Sequence, residues 1–256
     1  DAAMSLLAAG HTTGMVVDVG AFSSRIVPVY RGCALGYGMK TIPGLGGIPL
    51  REYLRSLLLQ KSSKVADMHY SEMDRLFREE CVAVRAYERL RSRVVELHTS
   101  YGKKLQVDMG RSGYQVASSL FRPSYLGLSH LGLHQTLQDT LFSFESDFRS
   151  ELSEAVVLTG GGSMVKGLPA ELQRAVGGEV EEVSHVAEGN QDREESGSLE
   201  KISSGSLKVL CHRDREVDAW YGGVLTSLRS DYDQVRINAA EYWETGDRIA
   251  MWKCVF

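Results

Sequence analysis

Two short segments carry residue types that could do chemistry. In the first, an apolar, β-branched run ends in Asp18-Val19-Gly20. A carboxylate at the end of a buried strand, followed by a tight turn with exposed backbone N–H groups, suits a metal-phosphate complex. The acid would order waters on a divalent cation while the amides take phosphate oxygens. The same pattern also serves plain strand-to-turn junctions, because turns favour Asp and Gly. In the second segment, Thr159-Gly160-Gly161-Gly162-Ser163-Met164 follows the apolar run Val156 to Leu158. Consecutive glycines let the backbone approach a ligand and leave amides for an anion or an adenosine group. A mere tight turn reads equally well from these residues. Neither segment is a G-x-G-x-x-G with a following acid or a G-x-x-x-x-G-K-[ST], so Rossmann and Walker readings fail.

Other catalytic sets are thin. His11, His69, His98, His130, His134, His185 and His212 show no H-E-x-x-H spacing, and no G-x-S-x-G elbow exists. Cys33, Cys81, Cys211 and Cys254 form no C-x-x-C, which disfavours zinc and fits a reducing compartment. Cys211 and His212 are adjacent, but a nucleophile and its base must converge in space, so they read as a satisfied or solvent-facing pair. With 29 Lys+Arg against 33 Asp+Glu, the net charge of −4 argues against a nucleic-acid surface spread over the whole chain, leaving only a local basic patch open. No apolar run approaches the roughly 20 residues of a membrane span, so no membrane association is expected.

The elements that must position these segments alternate between strand and helix. Met4 to Gly10 reads as a helix end rather than a signal peptide, since no basic residues precede it. Gly14 to Val19, Ser24 to Tyr30 and Cys33 to Met39 predict a three-strand meander with turns at Ala21-Phe22 and Arg31-Gly32. The breaker cluster from Pro43 to Gly47 marks a subdomain boundary. Leu50 to Gln60 is an amphipathic helix, and Ser71 with Asp74 predicts a capping box for a helix carrying Leu76, Phe77, Cys81, Val84 and Tyr87. Val94 to Val116 reads as short strands and turns. Helices follow over His134–Phe142 and up to Ser153, then the strand Ala155–Leu158, the glycine loop, and a helix after Pro169. Residues 187–206 hold five acids, two bases and no aromatic, a solvated insertion. A strand over Leu207–Leu210, a helix over Asp218–Leu228 and a last helix capped by Asn238 with Glu241 complete the pattern. It is that of an α/β chain with a cleft lined by glycine loops, and 256 residues allow one large domain or two smaller ones.

Taken in order, HTTGMVVDVG with VPVYRGCAL, GLGGIPLREYL, LFRPSYLGLSHLGLHQT, VVLTGGGSMVKGLP, DAWYGGVLTSL and INAAEYWETGD resemble successive blocks of the actin family. The resemblance covers almost the whole chain and implies a divergent actin-related or actin-like protein. The implied fold is the actin-like ATPase fold, two ribonuclease H-like α/β halves with ATP or ADP and Mg2+ or Ca2+ between them. The implied division is residues 1–45 and 129–217 as the inner large subdomain, 46–128 as the small outer subdomain, and 218–256 as C-terminal helices of the first half. By the same resemblance Asp18 faces the metal through water, and Gly20 and Gly47 lie by the nucleotide. Arg78 and Glu79 approach the adenosine, and Gly161, Gly162 and Met164 form the floor under ribose and base. Trp220, Gly222 and Gly223 are structural.

Departures from the family pattern carry as much meaning. Ala21 and Phe22 stand where the second phosphate loop has an acid and a glycine. Arg25 replaces the histidine that helps polarise the attacking water, and Asp1 aligns with a glutamine serving that water. Glu216 replaces the basic residue covering adenine, and Val165 the aromatic that packs on it. Phosphoryl transfer depends on positioned donors and an oriented water, so turnover is expected to be lost or very slow. The expected function is a structural subunit of a cytoskeletal, motor-associated or chromatin complex, partnered by other actin-fold or complex subunits, with weak or vestigial ATP binding. It would work in the cytoplasm or nucleus. The alternative is a nucleotide-switched, filament-forming ATPase. The family pattern also implies that the N-terminal part of the fold precedes Asp1. Met4, Leu6 and Leu7 are then expected to lack the surface they pack on, and this chain alone to be marginal in solution.

Overall fold

The computed structural model describes residues 1–84, 93–98, 102, 104–177 and 207–253. At its centre is β1 (Gly14–Val19), which pairs antiparallel with β2 (Ser23–Tyr30) on one side and parallel with β7 (Val156–Thr159) on the other. The sheet continues to β3 (Cys33–Ala34) beyond β2 and to β8 (Val209–Leu210) beyond β7, and β4 (Lys40–Pro43) adds to the first half of β2. A strand paired on both edges and covered on both faces must be apolar throughout. Met15, Val17 and Val19 accordingly enter the main core, while Val16 joins Val27, Val29, Val157 and Leu6 on the opposite face.

Both predicted turns form. Gly20 donates its N–H to the Ser23 carbonyl at 3.0 Å, closing a two-residue loop of Ala21 and Phe22. Arg31 (φ 50°) and Gly32 (φ 83°) are both left-handed, the mirror-type turn whose twist matches a hairpin. The third strand of the predicted meander is cut to two residues. Gly36–Gly38 form a 3₁₀ turn instead, and a Cβ on Gly38 would lie 2.6 Å from the Phe144 ring and 2.9 Å from Pro28. That close packing bends the chain off the sheet before it returns as β4.

Helix α1 (Ala2–Ala8) precedes the sheet. The main core fills the space between the sheet and α2 (Gly47–Leu59), α3 (Tyr70–Glu80), α4 (Ser112–Ser118), α5 (Leu133–Phe142), α6 (Ser146–Ser153) and α7 (Leu168–Val176). The hairpin of β5 (Val94–His98) and β6 (Lys104–Asp108) packs its Leu97, Leu105 and Val107 into the same cluster. This apolar core runs unbroken past the breaker at residues 43–47. Leu50, Leu54 and Leu58 of α2, and Leu133, Leu137 and Leu141 of α5, are fully buried at the spacing of one helical face.

Two local readings are corrected. Helix α3 is capped by His69, whose Nδ1 accepts the Ser71 N–H at 3.2 Å, and not by a Ser71–Asp74 box. Its last residue is Glu80, so Cys81 begins an extended segment: Lys166 N–H donates to the Cys81 carbonyl and Ala83 N–H to the Lys166 carbonyl. The stretch up to Val116, read as strands and turns, ends in helix α4. Val116, Ala117 and Leu120 are fully buried there, and Gly113 lies against the Glu80 carbonyl, 2.3 Å from where a Cβ would be. Tyr87, Cys254 and the segment 187–206 lie outside the described residues.

After β8 come α8 (Asp218–Ser227), α9 (Tyr232–Val235) and α10 (Ala239–Thr245), the last with the Asn238–Glu241 capping box. Helix α8 crosses α1 so closely that a Cβ on Gly222 would stand 1.9 Å from the Met4 carbonyl. The expectation that Met4, Leu6 and Leu7 lack a surface to pack on is therefore corrected for Leu6, while Met4 and Leu7 are half-buried. Leu6 is fully buried against the sheet, and Thr226 Oγ1 contacts Met4 Sδ at 3.3 Å. Among the described residues, the exposed large apolar side chains include Trp220, Leu225 and Leu228 on and just after α8, and Trp243 on α10.

Gly222→Ala is expected to cost about 1–3 kcal/mol by forcing α1 and α8 apart. Gly223→Ala, with open space at its Cβ, should be neutral or slightly stabilising, since alanine favours helix. Denaturant midpoints of the two variants check this. A second expectation concerns His134, whose buried Nδ1 has no hydrogen-bond partner among the described residues and whose pKa is lowered by burial and then by Arg122. The unfolded chain takes up a proton below about pH 6.5 that the folded chain resists, so stability should fall as the pH drops below that value. His134→Leu should flatten this slope between pH 7.5 and 5.5 in the same denaturant assay, relative to the unsubstituted protein.

Candidate functional site

The strand registers decide what meets at the sheet's edge. Asp18 lies directly opposite Arg25 on β2 and beside Thr159 on β7. Side chains opposed across an antiparallel pair share one face, and Arg25 Nη2 donates to Asp18 Oδ2 at 3.0 Å. Asp18 is the more enclosed partner, its side chain 19% exposed against 46% for Arg25.

Beyond Asp18, three backbone segments converge. Gly47 and Ile48, the first residues of α2, donate their N–H groups to the Gly20 and Ala21 carbonyls at 2.9 and 2.8 Å. The glycine loop closes over them. A Cβ on Gly160 (φ 92°) would lie 2.4 Å from Asp18 Oδ1, and one on Gly162 would lie 2.9 Å from both the Gly20 carbonyl and the Gly47 nitrogen. These two glycines are therefore required for loops to touch loops. Gly161 faces open space, with nothing within 4 Å of its Cβ position. Asp18, Gly20, Gly47, Gly161 and Gly162 thus form one constellation, and Met164 follows it, its N–H turned back to the Gly161 carbonyl.

Arg78 and Glu79 sit further along α3. Arg78 Nε bonds Asp74 at 3.0 Å, and its Nη2 reaches Glu216 Oε2 at 2.7 Å across 138 residues of sequence. The Glu216 bond, then Asp74, raises the Arg78 pKa, and the same bond from Arg78 lowers that of Glu216. Glu79 is half-exposed beside Arg75, and its carbonyl accepts Lys166 Nζ at 2.6 Å. Arg51 joins the two groups of residues: its Nη2 lies 3.3 Å from the Cβ position of Gly47, and its Nε lies 3.4 Å from Asp74 Oδ1. A chain of alternating charge, Arg51–Asp74–Arg78–Glu216, consequently runs from the glycine cradle to the segment before α8. Of the departures from the family pattern, Phe22 is 67% exposed at the tip of its hairpin, Val165 is fully buried, and Asp1 is the N-cap of α1.

Two side chains of the candidate site escaped the sequence reading. Arg51 differs in no local feature from Arg55, the other base of α2. Arg215 looks like its neighbour Arg213, yet it is buried, with Nε on Ser163 Oγ at 2.9 Å and Nη2 on the Ser163 carbonyl. Its own carbonyl accepts the Thr159 hydroxyl at 2.8 Å and the Gly160 N–H at 3.1 Å. Arg215 therefore anchors the glycine loop from behind, and burial lowers its pKa from the ordinary guanidinium value. A surface groove of about 500 Å3 between the end of α2 and α4, lined by Leu57, Gln60, Lys61 and Arg111 among others, contains none of these residues.

Arg215→Met should leave the Ser163 carbonyl unsatisfied and lower stability by roughly 3 kcal/mol. Arg213→Met, at an exposed position, should stay within about 0.5 kcal/mol. Urea unfolding of both variants tests the assignment.

The Actin family profile matches residues 1–102 and 72–255, nearly the full length. Among curated proteins, the chain is 26% identical to an actin-like protein of Neurospora crassa over 259 aligned positions, covering 97% of this chain and 62% of that relative. The chain thus spans less than two thirds of that protein's length. Among the described residues no helix is long and apolar enough to cross a membrane. The ordered blocks, the mixed sheet with its glycine cradle and the family match over almost every residue lead to one assignment: the chain belongs to the actin family, as a divergent, actin-like member.

Proposed function

We propose that this protein is a structural actin-like subunit of a larger cytoskeletal, motor-associated or chromatin assembly, in which the nucleotide site is vestigial. Actin-family members typically bind a nucleotide with a divalent cation, and a ligand between two parts of a fold can hold them together. The observation that carries the proposal is the 2.7 Å Arg78–Glu216 ion pair, which ties α3 to the segment before α8 through the protein's own side chains. Backbone bonds between residues 81–83 and Lys166 join the segment after α3 to the stretch that follows the glycine loop. Closure that relies on internal contacts needs no ligand, and a subunit of this kind presents one fixed surface to its neighbours. The partners are then other actin-fold or complex subunits, in the cytoplasm or the nucleus.

The test is differential scanning fluorimetry of the purified protein with 1 mM ATP and Mg2+, together with phosphate release and pelleting. A ligand at about a thousandfold its Kd stabilises by about 4 kcal/mol. The expected outcome is a stabilisation below roughly 1 kcal/mol, no turnover above background and no ATP-dependent pelleting. Micromolar stabilisation with phosphate release and filaments would establish the nucleotide-switched ATPase instead.

A further inference from the structure

We infer that Arg25 is a built-in counter-ion that excludes a divalent cation from Asp18, so that any nucleoside polyphosphate entering this site does so as the metal-free anion. The inference rests on reading the glycine cradle as the family's nucleotide site, and is separate from the structural role proposed above. The chemistry of the donor set decides the fit. A hard dication needs oxygen ligands bearing net negative charge. At Asp18 that charge is already matched: Oδ2 accepts from Arg25 at 3.0 Å, and Oδ1 faces the backbone of Gly160, where even a Cβ would be 2.4 Å away. Among the described residues no three His, Cys, Asp or Glu side chains converge where they could hold a metal. A further cation, Arg51, lies beside Gly47. The residues present do not fit a divalent ion.

The register makes the pairing persistent. Asp18 and Arg25 are held opposite each other by a six-pair ladder from Gly14–Val29 to Val19–Ser24, so the guanidinium stays tethered within reach of the carboxylate. A dication placed at Asp18 would sit beside that positive charge. Metal-free phosphate oxygens gain from the same arrangement, because a guanidinium offers several N–H donors and only one is committed to Asp18 in the observed geometry.

Equilibrium dialysis of radiolabelled ATP, in 2 mM MgCl2 and in EDTA, reads this directly. For the unsubstituted protein, uptake should be equal in the two media within about twofold, at whatever level it occurs. Arg25→Gln frees the carboxylate and should make uptake at least about tenfold greater with Mg2+ than with EDTA, a difference of about 1.4 kcal/mol. Adding Asp18→Asn to Arg25→Gln should bring the ratio back near one, and circular dichroism checks that each variant keeps the fold. ATP taken up by the unsubstituted protein only with Mg2+ overturns the inference, as does an Arg25→Gln variant that is folded and shows no Mg2+ dependence. Either result leaves the structural role standing if turnover and pelleting are absent, whereas turnover without Mg2+ dependence would remove the role and keep the counter-ion.

Discussion

The glycine cradle of this structure depends on the double pairing of β1. Its antiparallel register with β2 and its parallel register with β7 are set independently, one by a two-residue loop and the other by a long crossover. Their combination brings the Asp18–Gly20 turn, the Gly160–Gly162 loop and the start of α2 to one place. The side-chain period of a strand is two, so a slip of one residue on either side would move Asp18 to the other face and place an apolar side chain at the cradle. Full burial of Met15, Val17 and Val19 on one core face and of Val16 on the other prevents that slip. The strand registers behind the constellation are thus held by hydrophobic burial, while the buried Arg215 anchors the glycine loop itself.

The sequence was readable where pattern and context agreed. The apolar run of β1, the two hairpin turns, the Asn238 cap and the leucine faces of α2 and α5 all express local physics, and each stands within a few residues of its expected place. Errors arose where a tertiary contact overrode a local signal. Asp74 looks like a capping acid after Ser71, but it is drawn into the ion pairs with Arg51 and Arg78, and His69 takes the cap. The glycine-rich Cys33–Met39 segment looks like a strand until the Phe144 ring claims the space at Gly38. Long-range side-chain pairs were the least legible. Nothing local separates the buried Arg215 from the exposed Arg213, and the 138-residue separation of Arg78 and Glu216 hides their contact. The Asp18–Arg25 pair lay within reach: with the Ala21-Phe22 turn predicted, counting back along both strands places the two residues opposite each other.

The glycines deserve a more careful reading than their number suggests. Gly160 and Gly162 fit a nucleotide loop by type, yet their Cβ positions are occupied by Asp18, Val19 and the Gly20 carbonyl of this same chain. Their presence would be required even if no ligand ever entered. Gly161 is the position where close approach from outside remains open. A glycine triplet after a strand therefore signals convergence of backbone segments first and ligand binding second. The same caution applies to the amides of Gly47 and Ile48, which a helix N-terminus would offer to an anion but which here bond the hairpin's carbonyls.

Magnitudes show why charge replacement, rather than loss of the fold, is the route by which such a site changes. A partly exposed ion pair contributes about 0–1 kcal/mol to stability, so exchanging one residue for Arg25 or Glu216 leaves folding almost untouched. The effect on a visiting ion is larger. Two unit charges about 4 Å apart interact by about 4 kcal/mol at the effective dielectric typical near a protein surface, and this acts against a dication at Asp18 with its full double charge. A chain under selection for its surfaces alone can accumulate these substitutions at no cost to stability, each redirecting the site. Arg25 meets Asp18 at one end and Arg78 meets Glu216 at the other. On the reading proposed above, the chain's own charges stand where a ligand's would complete the family's site.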